Sequence, residues 1–284
     1  MKIVAITGTS GGVGYEMVLS FARAGYQVFA TMRNPQTAPE LQKQCAAENL
    51  PVSIMTMDVD SDESVKECFA KINGENRTID VLINNEGVEL HGSMEELPIA
   101  DFRAVMETNY FGAIRCIQAV IPQMRENKNG CIINITSVSG RIASTPLGAY
   151  AASKHALEAI SEVLAQEVKP FNIRVAIIES GITDTSIPQN ISVDSTSKYL
   201  QVRRFGAMLE ESLKRSTPAT LVADKVLEIA NGNSWQVRYA VGPDAEPSLM
   251  WRASMSDEEW TDWNAQNDED WFKAIETYFG SSVR

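Results

Sequence analysis

Positive charge is scarce in this chain. Its 25 lysines and arginines stand against 37 aspartates and glutamates, a formal net charge of −12 over 284 residues. That balance argues against a nucleic-acid partner, because neutralising a phosphate backbone takes clustered cations. Histidine is nearly absent, with only His91 and His155. The four cysteines, Cys45, Cys68, Cys116 and Cys131, show no metal-ligand spacing, so no metal site is expected. All four fall in expected helices or a strand, which suits buried, reduced thiols in a cytoplasmic protein. Apolar runs are too short to cross a bilayer. Met1–Ile6 is a brief apolar run leading into glycines, and it reads as a buried strand, not a signal peptide. Internal repeats and low-complexity linkers are also missing.

What the chain does have is apolar residues, 44% of the total, arranged in alternating strand and helix patterns. Strands are expected at Lys2–Thr7, Gln27–Met32, Val52–Asp58, Asp80–Asn84, Cys131–Ile135, Arg174–Glu179 and Val237–Val241. Helices are expected at Val13–Ala24, Pro39–Asn49, Ser61–Asn73, Asp101–Arg125 and Gly148–Val168, with Asp60 and Glu63 spaced as a capping box. Each parallel crossover needs a connecting helix, so the alternation predicts an α/β fold with a doubly wound parallel sheet. The pattern breaks after Gly181. Residues 184–216 are polar with scattered apolar positions and suggest a helical lid. A further helix follows Pro218. Beyond residue 245 the chain becomes acidic and tryptophan-rich, and Trp260 and Trp263 share one helical face. The expected organisation is a body over 1–245 and a helical extension over 246–284.

Thr7-Gly8-Thr9-Ser10-Gly11-Gly12-Val13-Gly14 joins the first strand to the first helix. Glycines there allow a tight turn and close approach of the backbone to a pyrophosphate, which the helix N-terminus then receives. Gly8, Ser10, Gly12, Val13 and Gly14 are therefore candidate cofactor contacts. Much further on, Tyr150 and Lys154 lie four apart on one helix face. An ammonium beside a phenol favours the phenolate and is expected to pull the tyrosine pKa toward the working pH.

The Thr-Gly-x-x-x-Gly-x-Gly spacing together with Tyr150-x-x-x-Lys154 resembles the classical short-chain dehydrogenase/reductase family, over residues 2 to 245. The resemblance implies a Rossmann-type fold and an oxidoreductase acting on CH–OH groups or carbonyls. Asp58-Val59 matches the place of the acidic residue that meets the adenine, and Asn84-Asn85-Glu86-Gly87 resembles the family's Asn-Asn-Ala-Gly, which adds Asn85 and Gly87 to the cofactor residues. Asn109, Ser137, Tyr150 and Lys154 fall where the family places its catalytic asparagine, serine, tyrosine and lysine. As implied, Tyr150 donates the proton, Ser137 orients the reacting oxygen, Lys154 also holds the nicotinamide ribose, and Asn109 anchors a proton-relay water. Gly181 and Ile182 are implied at the nicotinamide. Arg238–Ala245 looks like the subgroup resembling 17β-hydroxysteroid dehydrogenases and carbonyl reductases.

The second strand ends Ala30-Thr31-Met32-Arg33-Asn34, with no acid and one arginine. A guanidinium there suits the 2′-phosphate of NADP(H). Two departures from the family stand out: Glu86 replaces a small alanine, and Ser180 replaces a proline. Glu86 either approaches the phosphates or turns outward with a locally adjusted loop. The apolar residues of the lid, with Val138, Ile142 and Leu147, suggest an apolar ketone or aldehyde as substrate. Arg203 and Arg204 read as solvated surface, and His91 as an exposed loop residue. A homodimer or homotetramer through the two long helices is implied. Alternatives are an NAD-linked alcohol oxidation or a regulatory protein that senses NADPH.

Overall fold

A computed structural model describes residues 1–74, 77–184, 196–213 and 216–279. Seven strands form one sheet in the order β3-β2-β1-β4-β5-β6-β7, every neighbouring pair parallel. They are β1 (Ile3–Ile6), β2 (Gln27–Met32), β3 (Val52–Thr56), β4 (Val81–Asn84), β5 (Gly130–Ile135), β6 (Ile173–Ser180) and β7 (Arg238–Val241). The expected doubly wound Rossmann-type sheet is thus present.

Strand side chains alternate between the two faces, and the core divides accordingly. Val4 and Ile6 of β1, Val81 and Ile83 of β4 and Ile133 of β5 pack with α1 (Gly12–Arg23), α2 (Pro39–Ala47) and the late helix Ala219–Asn231. Ala5, Phe29, Leu82 and Ile132 point the other way, onto α3 (Asp62–Asn73), α5 (Gly112–Asn127) and α6 (Gly148–Val168). The strand order reverses between β1 and β4, and that is where an open α/β sheet forms a ligand crevice at its carboxyl edge.

Two expectations are corrected. The cap of α3 is Ser61, whose Oγ accepts from Ser64 N at 3.2 Å, while Asp60 accepts instead from Thr108 Oγ1 at 3.0 Å. The expected long helix over Asp101–Arg125 is interrupted: α4 (Ile99–Met106) and α5 are joined by a π turn, Glu107–Phe111. Such turns frequently occur at functional sites, and this one carries Asn109.

Beyond α6 come α7 (Leu200–Leu213), within the expected lid, and α8 (Ala219–Asn231). Residues 185–195 and 214–215 of the lid lie outside the described residues. After β7, the extension folds as α9 (Ala245–Ala253), α10 (Asp257–Ala265) and α11 (Asp268–Phe279). A Ser256–Glu259 capping box starts α10. Trp251, Trp260, Trp263 and Trp271 pack together with ring centroids 4.8–5.6 Å apart. Trp260 Nε1 donates to Ala143 O at 2.8 Å, docking the extension on the body. Among the described residues, no helix is long and apolar enough to cross a membrane.

Candidate active site

The crevice is built from two loops locked together. After β1, Gly8 and Gly12 take φ of +68° and +54°, the left-handed region that favours glycine. A Cβ on Gly14 would lie 2.1 Å from Gly8 O, so only glycine lets α1 start this close to the turn. After β4, Asn85 Nδ2 donates to Thr7 O (3.0 Å) and Gly8 O (2.9 Å), and the amides of Asn85 and Glu86 donate to Thr7 Oγ1. The α1 N-terminus has no side-chain cap, so its first amides stay available. A glycine cradle at an uncapped helix start fits a pyrophosphate.

A buried polar ladder sets the opposite side. Asn84 Nδ2 donates to Asn134 Oδ1 (2.8 Å), and Asn134 Nδ2 to Ser161 Oγ (2.7 Å). Thr136 Oγ1 donates to Glu158 Oε1 (2.7 Å). These bonds register β4, β5 and α6, so that the end of β5 faces the first turns of α6. Ser137 follows β5; its hydroxyl accepts from Ser139 N at 3.1 Å and lies close enough to the Tyr150 phenol to lower its pKa. Lys154 Nζ donates to Ile135 O at 3.0 Å and lies 5.6 Å from the Tyr150 ring centroid. Asn109 is fully occupied behind them: Oδ1 accepts from Val88 N (2.8 Å), and Nδ2 donates to Val88 O and Ser153 Oγ, each at 2.9 Å.

The electrostatics depart from expectation. Tyr150 is raised above the usual phenol value, mainly by burial and further by the charge of Glu89, with only the Ser137 hydroxyl opposing. Lys154 is pulled down to about 8 by the same burial, with Glu89 and Glu158 opposing. Desolvation disfavours both charged forms, and the lysine–tyrosine attraction that the sequence suggested does not figure among the causes of either shift. Glu86 is raised by burial and by Asp60 and Asp58, and lowered by Arg33.

One cavity of about 780 Å³ joins these parts. Of the residues singled out in the sequence, Gly8, Ser10, Gly12, Val13, Gly14, Asn85, Gly87, Ser137, Tyr150, Lys154, Gly181 and Ile182 line it. Arg33, Asp58, Val59 and Asn109 do not. Arg33 is exposed just past β2, with its charge felt at Glu86. Asp58 caps its own turn by accepting from Asp60 N (3.1 Å), and Val59 is buried against Gly112. Glu86 is no outward-turned residue: it lines the cavity.

Other contributors were missed or misread. Trp251, Trp260, Trp263 and Trp271 form part of the wall. The three-residue spacing of Trp260 and Trp263 offered a docking face but gave no hint of where it docks. Arg204 is buried, not solvated: its guanidinium sits 4.4 Å from the Trp271 ring centroid and donates to Asn264 O and Gln266 O. The His91 side chain is also largely enclosed, bonded to Glu89. Asp244 accepts from Ile182 N (2.9 Å), and its carboxylate occupies the space a Gly181 side chain would need.

An α/β sheet with this glycine cradle at its crevice suits a nucleotide, and comparison with known proteins gives the family. The short chain dehydrogenase family model matches residues 2–196. The uncharacterized oxidoreductase YusZ of Bacillus subtilis is 32% identical over 274 residues, covering 93% of this chain and 96% of that one. Human retinol dehydrogenase 8 is 40% identical over 185 residues, covering 63% of this chain and 58% of that one. A short-chain dehydrogenase from Streptomyces avermitilis superposes with a TM-score of 0.81 at 28% identity, over 92% of this chain and 95% of that one. The chain belongs to the short-chain dehydrogenase/reductase family of nicotinamide-dependent oxidoreductases.

Proposed function

We propose that the protein uses NADPH to reduce ketones or aldehydes that carry an apolar body, as carbonyl reductases do. The observation that carries this reading is the Ser137–Tyr150 hydroxyl pair on a cavity whose far wall is the lid and the tryptophan cluster. Bound NADPH would supply the hydride. Gly8, Ser10, Gly12, Val13 and Gly14 would hold its pyrophosphate, Asn85 and Gly87 its adenosine side, and Lys154, Gly181 and Ile182 its nicotinamide end. Arg33 would face the 2′-phosphate, with Asp58 and Val59 bordering the adenine.

Negative charge grows on the carbonyl oxygen during reduction. A tyrosine kept protonated by burial can donate its proton to that oxygen. Ser137 orients that oxygen by hydrogen bonding. Lys154, with its pKa near 8, exchanges protons readily near neutrality and would replenish Tyr150. Asn109 fixes the Val88 main chain beside Lys154, the place for a water that links the site to solvent. The lid and the extension would act as the substrate-side wall. Exposed Phe111 and Val163, on the helical surfaces expected to pair, support a homodimer or homotetramer.

An NADPH-oxidation assay over a panel of ketones and aldehydes of rising apolar length tests the reading. Rates should rise with length and with NADPH over NADH. Tight NADPH binding without turnover of any carbonyl would overturn it in favour of a sensor.

A further inference from the structure

We propose that Glu89 anchors a hydrogen-bond donor, an ammonium or a hydroxyl, that the substrate carries within a few bonds of its reacting carbonyl. The inference rests on the reduction reading above and narrows it to amino- or hydroxy-substituted ketones and aldehydes.

Glu89 lines the same cavity as Ser137 and Tyr150. Its charge reaches both Tyr150 and Lys154, so it stands close to where a carbonyl would react. His91 Nε2 lies 2.7 Å from Glu89 Oε1, with the two side chains only 5% and 16% exposed. The His91 ring packs edge-on against Phe205 of α7 at a centroid distance of 4.6 Å, and its Nδ1 is buried with no partner among the described residues. The ring is therefore held by packing on the lid and by a single polar bond, to Glu89. In return His91 fixes one carboxylate oxygen. Among the described residues, the other oxygen has no hydrogen-bond partner.

A carboxylate oxygen that faces a binding chamber loses its water when a ligand fills the chamber, which is costly unless the ligand fills its acceptors. Water fills them when the chamber is wet. A substrate that expels the water must supply a donor or leave the oxygen unpaired. The discrimination of a buried polar group against ligands that lack the matching atom is steep for this reason. The same charge repels a carboxylate or phosphate on the substrate. A purely structural role for Glu89, pinning the loop to the lid through His91, would not depend on the substrate's substituents.

The test uses three ketones of equal chain length: a straight-chain methyl ketone, its hydroxymethyl counterpart and its dimethylaminomethyl counterpart. The full-length protein should show higher kcat/KM for both substituted ketones than for the plain one. In Glu89→Gln, which keeps the volume and an acceptor for His91, the ratio of aminated to plain kcat/KM should fall at least about tenfold, chiefly through KM. A larger loss for the aminated ketone identifies the ammonium as the preferred donor, and a larger loss for the hydroxylated one identifies the hydroxyl. Ratios unchanged within about twofold, whatever the absolute rates, would overturn the proposal. Should the variant not fold, inhibition of the unmodified protein decides. A straight-chain amine or alcohol should inhibit at least about tenfold more tightly than the fatty acid of equal length, and equal inhibition overturns the proposal. If the plain ketone alone is reduced, this inference falls and the reduction reading stands; if no carbonyl is reduced, both fall.

Discussion

At the scale of single residues, the family spacing made Ser137, Tyr150 and Lys154 legible, but their protonation was not. A one-dimensional string shows a lysine four residues from a tyrosine. It does not show that both are buried, and burial decides the direction of each shift. Removing the phenol tests its role: Tyr150→Phe should keep NADPH binding nearly intact and lower turnover by about 10²–10⁴, measured under saturating cofactor. Unchanged turnover would remove Tyr150 from the chemistry. Arg33 and Glu86 form the second residue-level case. The Arg33 charge acts on Glu86, so in the proposed reading the glutamate would compete with a 2′-phosphate for the guanidinium. Arg33→Asp should weaken NADPH binding by about 1.5–3 kcal/mol, the worth of a charged hydrogen bond, and leave NADH much less affected. Glu86→Ala should tighten NADPH binding severalfold. Fluorescence titration with both cofactors checks each, and equal losses for the two cofactors in Arg33→Asp would mean the arginine does not read the phosphate.

At the scale of elements, all seven strands lie within two residues of where they were expected, and β3 departs most, ending at Thr56 instead of Asp58. The period-two and helical patterns are strong wherever one face is buried. What escaped was local hydrogen bonding. Asp60 looked like a cap, but its carboxylate is taken by Thr108 from a distant part of the chain. The π turn at Glu107–Phe111 was invisible because its residues keep a helical pattern; it carries Asn109, which bonds to the Val88 main chain from a distant loop. The glycine loop was legible in full, and it makes the sharpest prediction about an element. Gly14→Ala places a methyl 2.1 Å from Gly8 O, so the start of α1 must move away from the turn. Cofactor affinity should drop by at least about tenfold, read by titration calorimetry, while the sheet's circular dichroism persists. An affinity within twofold of the original would show that the cradle does not hold the pyrophosphate.

At the scale of the whole molecule, the buried thiols were foreseen and their consequence is thermodynamic. Burial raises Cys116 to about 12 and Cys131 to about 11, against an ordinary 9.0. The unfolded chain releases these protons first, so stability conferred by each neutral thiol is complete below about pH 9 and declines above it, by roughly 2–4 kcal/mol per thiol once the folded pKa is reached. Lys154, held near 8, acts in the opposite sense between about pH 8 and 10.5, so the comparison must be between variants. Urea unfolding of Cys116→Ala should decline less steeply with alkaline pH than that of the unmodified protein. Parallel declines would assign the loss to other groups. The extension was the least legible part at this scale, since its docking depends on Trp260 reaching Ala143 O across 117 residues of sequence. Arg204 shows what that docking entails. One guanidinium, pressed on an indole from α11 and gripping carbonyls at the end of α10, rivets α7 to the carboxyl-terminal helices. α7 therefore cannot part from the carboxyl-terminal helices without giving up the stack on Trp271 and both carbonyl bonds together.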